Sequence, residues 1–382
     1  MNEVKALSDV REAVEICRAC GFCDNYCAVF PAIERQRAFS GGDLRYLAYL
    51  CHNCRGCYYA CQSAPEPIDI NLPRNFAILR DESHAHNVWP QTLTPAFRRN
   101  GLIVSLTSVI SIVGVLLAVF LFDGPSSLEN TQLGANAFYR IVPWASMVGI
   151  AGVSMLFSVL ALTISARKFW RESGGSAGIP GLGDILVALR HIATLKNLGG
   201  DGHLCGDSDK TLSTARKRFH HAMAYGFLSC FMATCAATVL AHFFGEPAPY
   251  PLLSVPVVLG TCGGCGIVIG TSGLIWLKVI GDPATTVARL DGADFSLLGL
   301  LWLVAASGLF LLAARDMPFV GVVLAVHLGA VLALFMLLPY SKFVHSVYRG
   351  LALVRAAVDA GRSANQVAPG RPESERFDYS RS

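Results

Sequence analysis

Eight of the thirteen cysteines fall in two short runs with the same spacing. The first run reads CRACGFCDNYC and the second reads CHNCRGCYYAC, so both follow the pattern C-x2-C-x2-C-x3-C. In such a run the first three thiolates hold one 4Fe-4S cluster, and the fourth ligates the other cluster of the pair. The pattern therefore predicts two clusters with crossed ligation, the first held by Cys17, Cys20, Cys23 and Cys61 and the second by Cys51, Cys54, Cys57 and Cys27.

Two zinc sites of four cysteines each are the alternative interpretation of the same residues. Zinc modules usually place two C-x2-C pairs on either side of a long loop, which differs from both runs. Thiolates are soft, strongly donating ligands that suit iron, and a cluster passes one electron with little change of geometry. The spacing and its repetition therefore favour iron-sulfur clusters and indicate an electron-transfer protein.

The elements that position these thiols are predicted to be helical. The segment DLRYLAYL, which lies in the 23-residue insert between Cys27 and Cys51, has a helical pattern. The fourth cysteines are followed by Ala28 and Gln62, whereas the simplest bacterial ferredoxin run ends in Cys-Pro. These features resemble the α-helical ferredoxin domain of succinate dehydrogenase and heterodisulfide reductase subunits, which implies a mainly α fold.

The composition predicts that much of the chain lies in lipid. Of its 382 residues, 53% are hydrophobic and only 15% are charged, and the formal net charge is +4. A small net charge argues against nucleic acid as a partner. The N-terminal segment MNEVKALSDVREAVEI has no apolar stretch typical of a signal peptide, so the cysteine runs are expected in a reducing cytoplasm, where they bind metal.

Six apolar segments are each long enough to cross ~30 Å of hydrocarbon as a helix. They lie at residues 102–122, 143–164, 219–244, 252–280, 295–314 and 319–343. The loop at 165–218 carries nine Lys or Arg residues and the connection 245–251 carries none. This bias predicts a bacterial-type inner-membrane protein whose loop 165–218 and both termini are cytoplasmic.

Three domains follow from these boundaries. Residues 1–100 form a cytoplasmic ferredoxin-type domain with two 4Fe-4S clusters, and residues 101–345 form a bundle of six transmembrane helices. Residues 346–382 form a basic cytoplasmic tail, which is expected to be partly disordered because it has almost no apolar run.

Histidines on the apolar segments are candidates for haem ligation, because ligating side chains are costly in lipid and imidazole is a usual axial ligand. His221 and His345 lie near the predicted cytoplasmic surface, and His242 and His327 lie toward the outer half. These depths predict one b-type haem between His221 and His345 and allow a second between His242 and His327. A quinone pocket, or hydrogen bonds between helices, is the alternative role for these residues.

The phase of the helices adds two expectations. The 18 residues from His327 to His345 would rise ~27 Å along one helix and place both side chains on the same face, so one helix could serve two haems. His220 lies ~100° around the helix from His221 and is expected to point elsewhere.

The chain resembles the tricarballylate (citrate) utilisation protein B family over nearly its whole length. The resemblance rests on the duplicated cysteine runs, on RKRFHH and SKFVH, and on the stretches APYPLLSVPVVLGT and LPYSKFVHSVYR. The C-terminal half also resembles the haem-bearing membrane subunits of respiratory nitrate reductases. The family resemblance implies an FAD-dependent dehydrogenase partner that oxidises tricarballylate, and a role for this chain in passing electrons from that flavin to membrane quinone.

Substrate dehydrogenation is expected on the partner chain, since no G-x-G-x-x-G fingerprint follows a predicted strand here. Two other functional classes are weaker alternatives. A redox-sensing transporter would be expected to show broken spans with ionisable residues at the membrane midplane. A thiol-disulfide subunit like that of heterodisulfide reductase, or of another respiratory complex, would need cysteines in the N-terminal domain beyond the eight assigned to clusters.

Overall fold

The computed structural model describes residues 3–24, 26–62, 70–94, 99–122, 136–173, 178–199, 205–208 and 211–367, together with residues 124, 128 and 134. The fold is mainly α, as the sequence predicts. In the described part of the chain, six helices are long and apolar enough to cross a membrane. The six predicted spans are therefore confirmed by length and composition. The last part of the predicted tail, residues 368–382, lies outside the described residues.

The N-terminal domain is built from short helices around one apolar core. Its described helices are α1 (Glu3–Cys20), α2 (Val29–Glu34), α3 (Gly41–Leu50), α4 (Gly56–Ala60) and α5 (Leu72–Asn87). Both α1 and α3 pack against α5, and the fully buried side chains of Val10, Leu47 and Phe76 lie in the core between them. Ser40 and Asp43 form a capping box that fixes the start of α3.

The membrane bundle follows after a short 3-10 turn at Gln91–Leu93. Its described helices are α6 (Asn100–Phe122), the short α7 (Ala137–Ile141), α8 (Trp144–Ser173), α9 (Leu182–Thr194), α10 (Ala215–Phe243), α11 (Val255–Val279), α12 (Ala288–Ala313), α13 (Val320–Leu337) and α14 (His345–Val367). A small antiparallel hairpin, β1 (Cys205–Ser208) and β2 (Thr211–Ser213), precedes α10. The helices α9 and α14 lie outside the six spans.

Glycines bring α10 and α11 into close contact. A Cβ atom on Gly226 would lie 2.7 Å from the carbonyl oxygen of Gly263, and one on Gly270 would lie 2.6 Å from the carbonyl oxygen of Phe219. Small residues allow such an approach in lipid, where van der Waals packing holds helices together. This packing fixes the rotation of α10 at its beginning, where His220 and His221 are located.

The helix α8 is longer than a membrane requires. Its 30 residues exceed the ~20 that cross the hydrocarbon core, so its last turns project beyond the membrane. There Phe169 packs against Tyr49 of α3 and Tyr348 of α14, with ring centroids 5.1 and 4.9 Å away respectively. The N-terminal domain, the end of α8 and α14 therefore meet at one end of the bundle.

The prediction that His327 and His345 lie on one continuous helix is wrong. The helix α13 ends at Leu337 and α14 begins at His345, with a 3-10 turn at Lys342–Val344 between them. Pro339 has no backbone N–H to continue the hydrogen bonds of α13, and the Ser341 side chain accepts a hydrogen bond from the backbone N–H of Phe343. The two histidines therefore lie on separate helices.

Candidate functional site

Four cysteines predicted to hold one cluster line a single cavity in the N-terminal domain. Its walls include Cys51 at the end of α3, Cys54 in the following loop, Cys57 in α4 and Cys27 before α2. Cys27 comes from the first cysteine run and the other three from the second run. These are the thiols that crossed ligation assigns to the second cluster.

The loop after α3 bends sharply to bring these thiols together. Asn53 and Arg55 both adopt left-handed backbone conformations, with φ of 56° and 64°, which are uncommon for residues other than glycine. Burial, and then the neighbouring thiols Cys27, Cys51 and Cys54, raise the pKa of Cys57 well above its ordinary value. The loop thus brings four thiols from both cysteine runs to one cavity, and four thiols are the donor set of a 4Fe-4S cluster.

The other four cysteines are neighbours at the outer side of the domain. Burial, followed by the thiols of Cys23, Cys61 and Cys20, raises the pKa of Cys17 to about 12. Cys61 comes from the second run, so this group also corresponds to a crossed set. Cys20 is exposed, and Phe22 beside it is 50% exposed. We therefore propose both crossed sets as cluster ligands, with the first cluster nearer the surface.

In the described part of the chain, no group of three or more His, Cys, Asp or Glu side chains is arranged to hold a single metal ion. The donor sets fit clusters by their chemistry, because each consists of four thiols and cationic groups lie beside the second set. Arg80 and Arg349 donate to the carbonyl oxygen of Cys51, at 3.3 and 3.0 Å. Four thiolates give a cluster a net negative charge, which these guanidinium groups offset.

A second, larger cavity lies between the N-terminal domain and the membrane bundle. It has a volume of about 480 Å³, within the range of pockets that hold small molecules and cofactors. His52 and Arg55 line both this cavity and the one that contains the four thiols. The space proposed for the second cluster and the larger cavity are therefore adjacent.

Contacts between the domains hold this cavity in place. Arg216, just before the start of the third span's apolar stretch, donates to the carbonyl oxygen of Asn53 at 3.2 Å. His84 on α5 lies 3.2 Å from the carbonyl oxygen of Pro339 through its Nε2 atom. The side chain of Asn71 donates to the carbonyl oxygen of Ala284 at 2.9 Å. These bonds join the cysteine loop and α5 to the turns of the bundle.

Four histidines line the larger cavity, namely His52, His84, His220 and His345. The Nδ1 atom of His52 lies 2.9 Å from the carbonyl oxygen of Leu50. The Nδ1 atom of His345 likewise contacts the backbone carbonyl oxygen of Lys342. These bonds favour the tautomer that leaves Nε2 as acceptor or ligand. Burial, and then Arg349, lowers the pKa of His345 to about 3, so its imidazole is neutral at physiological pH.

The structure places His220, rather than His221, beside His345. The ring of His221 lies 5.6 Å from that of Tyr225, and its Nε2 finds no hydrogen-bond partner among the described residues. The Nδ1 atom of His220 is likewise buried and lacks a partner in the described part. Since the two are ~100° apart on α10, only the rotation set by the glycine contacts decides which one faces the cavity.

The two histidines of the outer half have different neighbours. The ring of His242 lies 5.4 Å from that of Trp144 on α8. His327 instead lies 3.1 Å from the hydroxyl of Ser307 on α12 through its Nδ1 atom. A second haem between His242 and His327 stays a prediction. The contact of His327 with Ser307 is a hydrogen bond between two helices, which is the alternative role that the sequence allows for these histidines.

Several residues at the cavity were not singled out by their sequence pattern. His52 lies inside the cysteine run, where the cysteines dominate the pattern. Arg349 lies in the segment predicted as a basic tail, and it reaches the end of α3 almost 300 residues away. Asp291 and Asp294 are the residues that a local pattern could have revealed. Their spacing of three places both on one side of a helix that is mostly apolar.

Similar proteins agree with this arrangement of the chain. The family model described as citrate utilization protein B Fer4-like domain matches residues 10–86, and the model described as citrate utilization protein B matches residues 95–366. Citrate utilization protein B of Escherichia coli is 38% identical over 357 residues, which are 93% of this chain and 93% of that protein. No solved structure matches the chain.

Crossed ligation predicts which cysteine variants share a defect. Cys61→Ser should disrupt the same cluster as Cys17→Ser, and Cys27→Ser the same cluster as Cys51→Ser, because each pair contributes to one thiol set. Each variant should lose one cluster and retain about half of the cluster iron of the wild-type chain. EPR spectra of the dithionite-reduced proteins, with iron analysis, measure this effect.

Cys262→Ser is the matched control for this experiment, because Cys262 is exposed on α11. This variant should keep both EPR signals. If Cys61→Ser loses the signal that Cys51→Ser loses, each run holds its own cluster and the crossed assignment is wrong.

Proposed function

Because the chain belongs to the citrate utilization protein B family, we propose that it passes electrons from a partner FAD-dependent dehydrogenase, through two 4Fe-4S clusters, to membrane quinone. The observation that carries this proposal is the adjacency of two cavities. The thiol-lined cavity and the larger one share His52 and Arg55 as walls. The distance for electron transfer from the second cluster to a molecule in the larger cavity is therefore short.

Electrons enter at the surface of the N-terminal domain. The first thiol set includes the exposed Cys20, and the exposed ring of Phe22 beside it offers an apolar contact for a partner. A soluble flavoprotein that docks here brings its flavin close to the first cluster. The second thiol set, which includes the buried Cys54, then lies between this surface and the membrane.

The chain's own residues hold and orient this path. When bound, the clusters supply one-electron steps between a flavin and a quinone, each of which exchanges two electrons. Arg80 and Arg349 hold the end of α3 through its last carbonyl oxygens, at Ala48, Tyr49 and Cys51. Cations at a helix C-terminus are favourable, and here they keep the Cys51 loop in place and water away from it.

The larger cavity suits the headgroup of a quinone. One side is apolar and belongs to the bundle, with Phe227, Leu297 and Leu301 among its residues. Polar side chains such as those of Lys342 and Ser346 are available to bond the quinone oxygens. Pockets of this mixed character are typical of small-molecule sites, and this one lies where the membrane and the N-terminal domain meet.

We propose that a b-type haem would be held by His345 and by His220, which lines the same cavity. His220 takes the place of His221, which the sequence predicted. Arg80, Arg216 and Arg349 also line the cavity and can pair with haem carboxylates. A haem held there would supply one-electron transfer between the second cluster and quinone.

The partner and the location are also proposals. The relative in Escherichia coli is named for citrate utilization, and a tricarboxylic acid such as citrate or tricarballylate is therefore proposed as the substrate of the partner dehydrogenase. The basic residues of loop 165–218 favour a bacterial inner membrane with the N-terminal domain in the cytoplasm. The packing of α3 against α14 places the C-terminal helix at the same end of the bundle.

Haem ligation can be tested with single histidine variants. His345→Ala and His220→Ala should each abolish the α-band of a reduced b-type haem, because each removes one axial ligand. His221→Ala should retain the band, and so should His191→Ala on α9, which serves as a control away from the cavity. The cluster EPR signals should persist in all four variants.

Absorption spectra before and after dithionite measure this effect. A wild-type chain without a haem spectrum, or a His345→Ala variant with an unchanged one, would show that these histidines serve a quinone pocket or helix packing instead.

Quinone reduction is tested by following the reduced clusters directly. The chain is purified in lipid nanodiscs, reduced with one equivalent of dithionite per cluster, and mixed with a short-chain ubiquinone. The cluster signals should disappear as quinol forms. In Cys57→Ser, which lacks a ligand of the second cluster, the first cluster should stay reduced, because its only path to the cavity is lost.

Cys262→Ser is again the control and should behave as wild type. Wild-type clusters that stay reduced in the presence of excess quinone would contradict the proposed function.

A further inference from the structure

Four charged side chains form a continuous chain along the bundle side of the larger cavity. Lys278 Nζ lies 2.8 Å from a carboxylate oxygen of Asp291 and 2.7 Å from one of Asp294. Lys342 Nζ lies 2.5 Å from the other oxygen of Asp294. All four residues line the cavity, and the two contacts of Lys278 have the length of charge-assisted hydrogen bonds.

Structural support alone does not account for these residues. Two lysines and two aspartates balance in charge, but their surroundings include the apolar side chains of Leu290 and Leu297. Removing charges from water is expensive, and apolar residues of similar size often replace buried ion pairs without loss of stability. Neither the thiol sets nor the four cavity histidines use these groups, so the ion-pair chain is available for another role.

The ion-pair chain runs inward from the end of the bundle that carries the N-terminal domain. Asp291 lies in the first turn of α12, and Asp294 lies one turn deeper, by ~4.5 Å. Lys278 is next to the last residue of α11, and Lys342 lies in the turn that follows α13. Asp291 has the most exposed side chain of the four, at 34%. The direction is therefore from the domain-side surface into the cavity.

We propose that Asp291, Lys278, Asp294 and Lys342 deliver protons to quinone from the side of the membrane on which the clusters lie. This inference rests on the proposed function, because quinone must be reduced in the cavity for protons to be needed there. A quinone takes up two electrons and two protons to become a quinol. The two electrons come from the reduced clusters, one from each.

Each proton moves along the same route. The ammonium group of Lys342 donates a proton to a quinone oxygen, and the N–H bond breaks as the O–H bond forms. The proton of Lys278 then passes through the Asp294 carboxylate to restore Lys342. Lys278 regains its proton from water at Asp291, so the ion-pair chain returns to its starting charge after each transfer. Two such transfers complete one quinol.

Asp294→Asn tests this role without changing the size of the side chain. Reoxidation of the reduced clusters by quinone should slow on the order of a hundredfold, the typical contribution of one positioned proton-transfer group. Reoxidation by ferricyanide should keep its wild-type rate, because this oxidant takes electrons without protons. The comparison separates proton delivery from a structural role, since damage to the clusters or their docking would slow both reactions.

Asp316→Asn is the matched control, because Asp316 lies beyond the other end of α12 and is 73% exposed. Both of its rates should equal those of wild type. If Asp294→Asn does not assemble its clusters, Asp291→Asn replaces it, with the same slow quinone reaction and normal ferricyanide reaction expected. A variant that assembles its clusters and reacts with quinone at the wild-type rate overturns the inference, while the proposed function stands.

A second measurement tests the side from which protons come. Chains oriented in proteoliposomes are reduced from the cluster side with quinone in the bilayer, and a potential-sensitive dye is followed. Because electrons and protons arrive from the same side, no membrane potential should develop during wild-type turnover. A potential that builds up with quinol formation would mean that protons come from the opposite face, and would overturn the inference. Wild-type chains that form no quinol would instead overturn the proposed function.

Discussion

The arrangement depends on one buried cation, Arg355, which joins the N-terminal domain to the membrane bundle. Its side chain is 2% exposed, and its guanidinium lies 2.5 Å from a carboxylate oxygen of Asp43. It also contacts the carbonyl oxygen of Ser173 at the end of α8 and lies 4.1 Å above the ring of Tyr46. Burial alone would raise the pKa of Asp43, but the hydrogen bonds from Ser40 and Arg355 lower it. Removing one partner of such a buried pair typically costs about 3–5 kcal/mol. Since α3 leads directly to Cys51, this contact also fixes the position of the second thiol set.

This contact between the N-terminal domain and the bundle also positions the cysteine loop and the larger cavity. The cysteine loop lies against the start of α10, where Arg216 holds the carbonyl oxygen of Asn53. The larger cavity is the space left between this loop and the ends of the spans, and its walls differ in character. The domain side carries arginines and His52, and the bundle side carries apolar residues and the ion-pair chain. In the proposed function, electrons and protons therefore take separate routes to the same space, as a reaction that needs both requires.

The sequence predicted those features that depend only on neighbouring residues in the chain. The spacing of the eight cysteines predicts the two groups of thiols that the structure brings together, and the composition over ~20 residues predicts the six spans. The sequence favoured His221 over His220, whereas the structure places His220 beside His345, because the rotation depends on how Gly226 and Gly270 seat α10 against α11. The sequence pattern does not show the break after α13, because the apolar run of that helix continues to Leu338, directly before Pro339, and a proline can also lie within a kinked helix. Arg349 reaches Cys51 across 298 positions, and no local pattern indicates such a contact.

The central claim is that the cavity between the N-terminal domain and the bundle is where electrons leave the protein. Photoaffinity labelling with an azido-quinone in lipid nanodiscs, followed by mass spectrometry of the peptides, tests it most directly. The account predicts labels on the ends of α11 and α12 or the turn before α14, within residues 274–301 and 342–349, which contain cavity residues. An excess of unlabelled quinone should prevent this labelling. Competed labels confined to the opposite end of the bundle, around residues 310–322, would contradict the account.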